Sequence, residues 1–168
     1  MDQTPSNSSV LPIRKSSPED VFLHLLAVST LYVSVGNFIA LLFGYINIYF
    51  PDALEQAYYA LTGAYQGIRF NVASLVIMFP AYVFTTRVLN KEYAIEPDKR
   101  NMRVRKWLVY FTLFVAGLIM LGDLVVLVYN FLNGDLTTRF VLKVCAVLAV
   151  MGAVFWYYFA DLRQHKTD

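Results

Sequence analysis

Four apolar stretches, each long enough to cross a lipid bilayer, leave this chain few ways to fold. They are Val21–Ile48, Phe70–Thr86, Trp107–Leu132 and Phe140–Ala160. About 20 apolar residues in helical form span a hydrocarbon core of about 30 Å. In lipid the backbone must satisfy its own hydrogen bonds, so each stretch is read as a helix. The expected fold is all-α, a membrane-embedded bundle of four transmembrane helices. Only 15% of the 168 residues are charged, against about 25% in a soluble domain. The chain has room for one bundle and no second domain. Residues 1–16 read as a disordered cytoplasmic tail, 17–163 as the transmembrane domain and 164–168 as a short tail.

The basic residues orient the bundle. Arg14 and Lys15 precede the first span. Arg87, Lys91, Lys99, Arg100, Arg103, Arg105 and Lys106 lie between the second and third. Arg163 and Lys166 follow the fourth, so these three groups hold eleven of the fourteen basic residues. The two alternate loops, Tyr49–Ile68 and Asn133–Thr138, hold none. The positive-inside rule then predicts that the N and C termini are cytoplasmic. Tyr45, Tyr49, Phe50, Tyr129 and Phe131 are expected at the outer interface. Trp107, Tyr110, Trp156, Tyr157 and Tyr158 are expected at the inner one.

Local signals mark the helix ends. Ser17 can cap the first helix, with Pro18 in its first turn and Glu19 and Asp20 on the favourable side of the dipole. Asp135 or Thr137 can cap the fourth. Pro51 to Leu61 has helical spacing at Leu54, Tyr58 and Leu61, which predicts a short interfacial helix in the first outer loop. Pro80 predicts a kink in the second span.

Small residues recur every fourth position at Gly36, Ala40 and Gly44, and again at Cys145, Ala149 and Ala153. Such stripes let helix backbones approach closely, where lipid supplies no hydrophobic drive for association. They are expected to face the inside of the monomer, with a face between two molecules as the alternative. Cys145 is the only cysteine, so no disulfide within the chain is available.

Ionisable residues at membrane depth are costly and tend to pair or face water. Asp123 lies about 13 Å from the outer end of the third span and Lys143 about 5 Å from that of the fourth, at 1.5 Å per residue. With Arg69 and Arg139 they form a candidate intramembrane polar cluster in the outer half. Asn37 or Asn71 is a candidate bridge between Asp123 and Lys143. Alternatively, Lys143 snorkels to the interface. His24 and Asp161, near the inner helix ends, are read as exposed at the interface. Arg103, Arg105 and Lys106 are candidate contacts for anionic lipid headgroups.

No catalytic or cofactor-binding constellation and no metal-ligand spacing is found. The expected cofactor content is none, and nucleic acid is not an expected partner because the basic residues flank membrane spans. Expected partners are membrane lipids and an unidentified membrane protein or a second copy of the chain. The small-residue stripes and the compact chain with short loops point to a non-enzymatic accessory or interaction subunit. The alternative is a small permease or channel-like protein using the region of Asp123.

Several segments carry a resemblance. Ser17-Pro-Glu-Asp-Val-Phe-Leu-His-Leu-Leu, Tyr49-Phe-Pro-Asp52, Arg105-Lys-Trp-Leu-Val-Tyr110, Gly134-Asp-Leu-Thr-Thr-Arg-Phe140 and Tyr157-Tyr-Phe-Ala-Asp-Leu-Arg163 are together similar to a bacterial family of small four-helix integral membrane proteins, a domain of unknown function. The resemblance covers roughly Ser17 to Arg163. It implies a bacterial inner (plasma) membrane location and four spans, and supplies no activity. His24 falls where that pattern would place an aromatic residue.

Overall fold

A computed structural model of the chain describes residues 18–50, 57–95, 103–134 and 136–164. Four helices follow one another: α1 (Pro18–Tyr49), α2 (Ala57–Ile95), α3 (Arg103–Asn133) and α4 (Thr138–Gln164). Each contains a segment long and apolar enough to cross a membrane. The four-span all-α reading therefore stands.

All four helices extend beyond the apolar stretches, α2 by far the most. α2 has 39 residues and begins at Ala57 rather than Phe70. Ala57 to Leu61 are its first turns, not a separate interfacial helix, and Pro51 to Gln56 lie outside the described residues. Apolar runs mark where lipid contact begins, whereas backbone hydrogen bonds carry a helix on into polar sequence. α2 continues through Pro80 as helix.

Ser17 lies outside the described residues, so its capping role does too. At the other end, Thr137 accepts from the Phe140 amide at 3.2 Å and caps α4; Asp135 is not among the described residues. Gly134 closes α3 with φ of +75°, a left-handed conformation that glycine adopts without steric cost.

α1 is the common neighbour. It packs most closely along α2 and also meets α4 and, over a shorter stretch, α3; α3 and α4 form the second close pair. Among the described residues α2 has no close backbone packing with α3 or α4. The α1 seam is Asp20, His24, Ala27, Leu31 and Ser34, all buried. Their alternating four- and three-residue spacing is that of knobs-into-holes packing.

The interior is concentrated toward one end. We name it the basic end, because it carries the α2–α3 connection and residues 18 and 164. Buried positions there and toward mid-bundle include His24, Thr30, Leu31 and Ser34 of α1, Thr85 and Leu89 of α2, and Leu108, Val109, Thr112 and Ala116 of α3. Toward the opposite end the described buried residues are Asn71 and Val144. Polar side chains in the spans mostly turn back on their own helices. Thr30, Ser34, Asn37, Thr85 and Thr112 each donate to a carbonyl one turn earlier, at 2.7–2.9 Å. That solves the hydrogen-bond problem of a hydroxyl or amide in lipid without a second helix.

Candidate functional site

The helices bring their chemistry together at the basic end. His24 projects from the second turn of α1 into the interior and is only 5% exposed. One ring nitrogen, Nδ1, lies 2.6 Å from the Asp20 carbonyl oxygen, which can only accept. Nδ1 therefore carries a proton and donates. The other, Nε2, lies 2.5 Å from the Tyr93 hydroxyl near the end of α2. In the neutral ring Nε2 accepts from that hydroxyl.

Tyr93 passes the contact onward. The Arg105 guanidinium from α3 sits over its ring, 5.4 Å from the centroid, within cation–π range. Arg105 Nη2 donates to Asp161 Oδ2 of α4 at 2.6 Å. The series His24–Tyr93–Arg105–Asp161 thus takes one residue from each helix. A cavity of about 100 Å³ lies beside it. Its floor is His24, Ala27 and Val28 of α1; Tyr82, Thr86 and Asn90 line it from α2, and Tyr157, Tyr158 and Asp161 from α4. It occupies the space where α2 stands apart from α3 and α4.

This corrects three readings of the sequence. His24 is buried and doubly hydrogen-bonded, not exposed at the interface. Asp161 is half-buried, its side chain 26% exposed, and its carboxylate is taken up by Arg105. Arg105 points inward to that carboxylate rather than toward headgroups; Arg103 and Lys106 remain exposed. Inward rotation stabilises Arg105 through a charge-assisted bond at partial burial, where such bonds are stronger than in water.

The cluster expected in the outer half divides. Arg139 and Lys143 lie one turn apart on α4 and both reach α1. Arg139 Nε donates to Asn47 Oδ1 at 2.9 Å, and Lys143 Nζ sits 5.5 Å from the centre of the Phe43 ring. Arg69 is exposed on α2. Asp123 is partly buried on α3, and its Oδ2 is buried with no hydrogen-bond partner among the described residues. Asn37 donates to Val33 of its own helix and does not bridge Asp123 to Lys143 through that amide.

The stripes also divide. A Cβ on Gly44 would stand 2.8 Å from Ile68 Cγ1, so Gly44 permits a close α1–α2 approach. Gly36 and Ala40 are exposed, and so are Cys145, Ala149 and Ala153. The expectation that both stripes face the monomer interior therefore holds at Gly44 alone. On α4 Val144 is buried, while the stripe residues Cys145, Ala149 and Ala153 face outward. The belt residues Tyr45, Tyr49, Tyr129, Trp107, Tyr110 and Trp156 are exposed as expected. Tyr158 is partly buried against the cavity instead.

No group of three or more His, Cys, Asp or Glu side chains among the described residues has metal-binding geometry. Fold and composition define a multi-pass membrane protein, a four-helix bundle. The chain belongs to the DUF5671 family, a domain of unknown function, whose family model matches residues 20–158. That range contains His24, Tyr93 and Arg105 and stops short of Asp161. No curated protein and no solved structure matches the chain.

Proposed function

We propose that the protein is a non-enzymatic accessory or interaction subunit of a membrane assembly, with its termini and the α2–α3 connection in the cytoplasm. The observation that carries this reading is the outward stripe on α4. Cys145, Ala149 and Ala153 are exposed, and α4 is the least buried of the four spans. Small residues on a lipid-facing surface let another helix approach closely. Arg103 and Lys106 are suited to contact anionic headgroups at the cytoplasmic surface.

Replacing Ala149 and Ala153 together by leucine tests the reading. The face is exposed, so the bundle should fold. Proteins or second copies that co-elute from the wild-type chain in mild detergent should be lost. An unchanged elution profile and unchanged co-eluting set would contradict it.

A second reading, a small permease or channel-like protein, has an observation of its own in the buried Oδ2 of Asp123. An unsatisfied carboxylate oxygen at membrane depth suits a transient cation or proton. Asp123→Asn should then fold normally and abolish a flux measurable in proteoliposomes. Unchanged flux, or no flux in the wild type, removes this reading.

A further inference from the structure

We propose that the cavity at the basic end seats a neutral six-membered ring with carbonyl acceptors at opposite ends, the headgroup chemistry of a quinone. A membrane quinone with its tail in lipid and a free ring-sized solute share that chemistry.

Surface is the first reason. The cavity is lined mostly by apolar surface. Ala27, Val28, Leu89, Leu108 and Val109 supply aliphatic wall, and four tyrosines with His24 supply rings. Such a wall favours an apolar ligand over an ion or a cluster of waters. Its aromatic part favours a flat ring over an acyl chain. Stacked and edge-on ring pairs add attraction beyond their buried area, and a rigid ring has no rotamer freedom to lose.

Hydrogen bonding is the second. Thr30, Ser34, Asn37 and Thr85 turn back on carbonyls of their own helices. Thr86 and Asn90, one turn apart on the α2 wall of the cavity, do not; neither has a hydrogen-bond partner among the described residues. Two of the tyrosine hydroxyls are engaged with each other, Tyr82 with Tyr158, and Tyr93 is engaged with His24. The α2 wall therefore presents two donors about 5.4 Å apart, one helical pitch. A ring with an acceptor at each of two opposite ends meets both, whereas an alkyl chain meets neither. Both donors are uncharged, so the ligand needs no charge and the Arg105–Asp161 pair stays closed.

Size and depth are the third. The cavity holds about 100 Å³ and is open on one side. A closed apolar cavity of about 150 Å³ admits benzene, so one ring fits here with its outer edge and any tail outside. Along α2 the lining runs from Tyr82 to Tyr93, about 16 Å at 1.5 Å per residue. Tyr82 and Thr86 belong to the apolar stretch Phe70–Thr86, and Asn90 and Tyr93 lie beyond it. The cavity thus begins in the hydrocarbon and ends at headgroup level, within reach of a lipid-soluble ring.

The test is thermal unfolding of the full chain at fixed detergent with three probes. Decylubiquinone carries ring, carbonyls and tail; duroquinone carries the ring and carbonyls alone; decylbenzene carries ring and tail without acceptors. Decylubiquinone should raise the unfolding midpoint in a saturable way, and decylbenzene should not. Thr86→Val removes the hydroxyl at nearly constant volume and should weaken the apparent affinity about two- to tenfold. Val28→Phe fills the cavity from α1 and should abolish the shift, so it serves if Thr86→Val does not fold. Arg69→Gln, exposed toward the opposite end, should leave the shift unchanged. If duroquinone reproduces the shift, the ligand is a ring-sized solute; if only decylubiquinone does, it is a membrane quinone. An equal response to decylbenzene, no response to either quinone, or a shift that survives Val28→Phe or keeps wild-type affinity in Thr86→Val would overturn the proposal.

Discussion

The two ends of this bundle handle polar residues in opposite ways. At the basic end one residue from each helix joins a continuous series, His24–Tyr93–Arg105–Asp161. At the opposite end Arg139 and Lys143 reach α1, Arg69 is exposed, and Asp123 keeps a buried oxygen without a hydrogen-bond partner among the described residues. Packing follows the same division, because the buried side chains are concentrated from the basic end to mid-bundle. The lesson is that helices in lipid are held in place where polar contacts and small-scale packing coincide. Apolar surface alone supplies no such preference.

Substitutions at the two ends should therefore differ in their effect. The largest contrast is expected for truncation of packed leucines. Leu108→Ala, at a 6% exposed site, should destabilise the bundle by about 2–3 kcal/mol, mostly through the cavity it leaves. Leu121→Ala, at a 63% exposed site on the same helix, should stay within about 0.5 kcal/mol. Reversible unfolding in mixed micelles measures the two, and equal losses would erase the contrast.

Next comes the ion pair. Asp161→Asn should cost about 1–2 kcal/mol, reduced from the fully buried case by partial solvent exposure. Adding Arg105→Gln should recover part of that loss, since the two residues are coupled. Strict additivity of the two substitutions would detach Arg105 from Asp161.

His24→Phe keeps an aromatic ring but removes hydrogen bonds to the Asp20 carbonyl and the Tyr93 hydroxyl. A loss of about 1–2 kcal/mol is expected. A more stable variant would mean that the family-like aromatic suits the site better than histidine.

The smallest effects concern glycine. Gly44→Ala should cost up to about 1 kcal/mol, because Ile68 must move to admit the methyl group. Gly36→Ala meets nothing within 4 Å and should be neutral or stabilising by helix propensity, up to about 1 kcal/mol. The order of the two variants on one unfolding curve checks whether the stripe packs at one position or along its length.

Much of the fold was legible because run length and composition encode it directly. Four stretches passed the length of a bilayer, and Thr137, one of two candidate caps, marked the start of α4. The candidate site was far less legible. His24 and Tyr93 are 69 residues apart, and Arg105 and Asp161 are 56 apart. Helical periodicity says which face a residue occupies but not which distant helix it meets. Depth misled in the same way: residues near a helix end suggest the interface, yet the α1 seam through Asp20 and His24 turns them inward. That seam was present in the sequence as alternating four- and three-residue spacing, and polar residues on it were the available signal.

The central claim is that α2 and α4 are tied through the basic-end series and less constrained at the other end. Double electron–electron resonance on a Cys145→Ala background measures this directly. One pair of labels, at Arg87→Cys and Arg163→Cys, reports the basic end; a second, at Phe70→Cys and Val141→Cys, reports the opposite end. All four positions are exposed. The account predicts a narrow distance distribution at the basic end that broadens with Asp161→Asn, and a broader one at the opposite end that does not respond. A basic-end distribution as broad as the other, or one indifferent to Asp161→Asn, would contradict it.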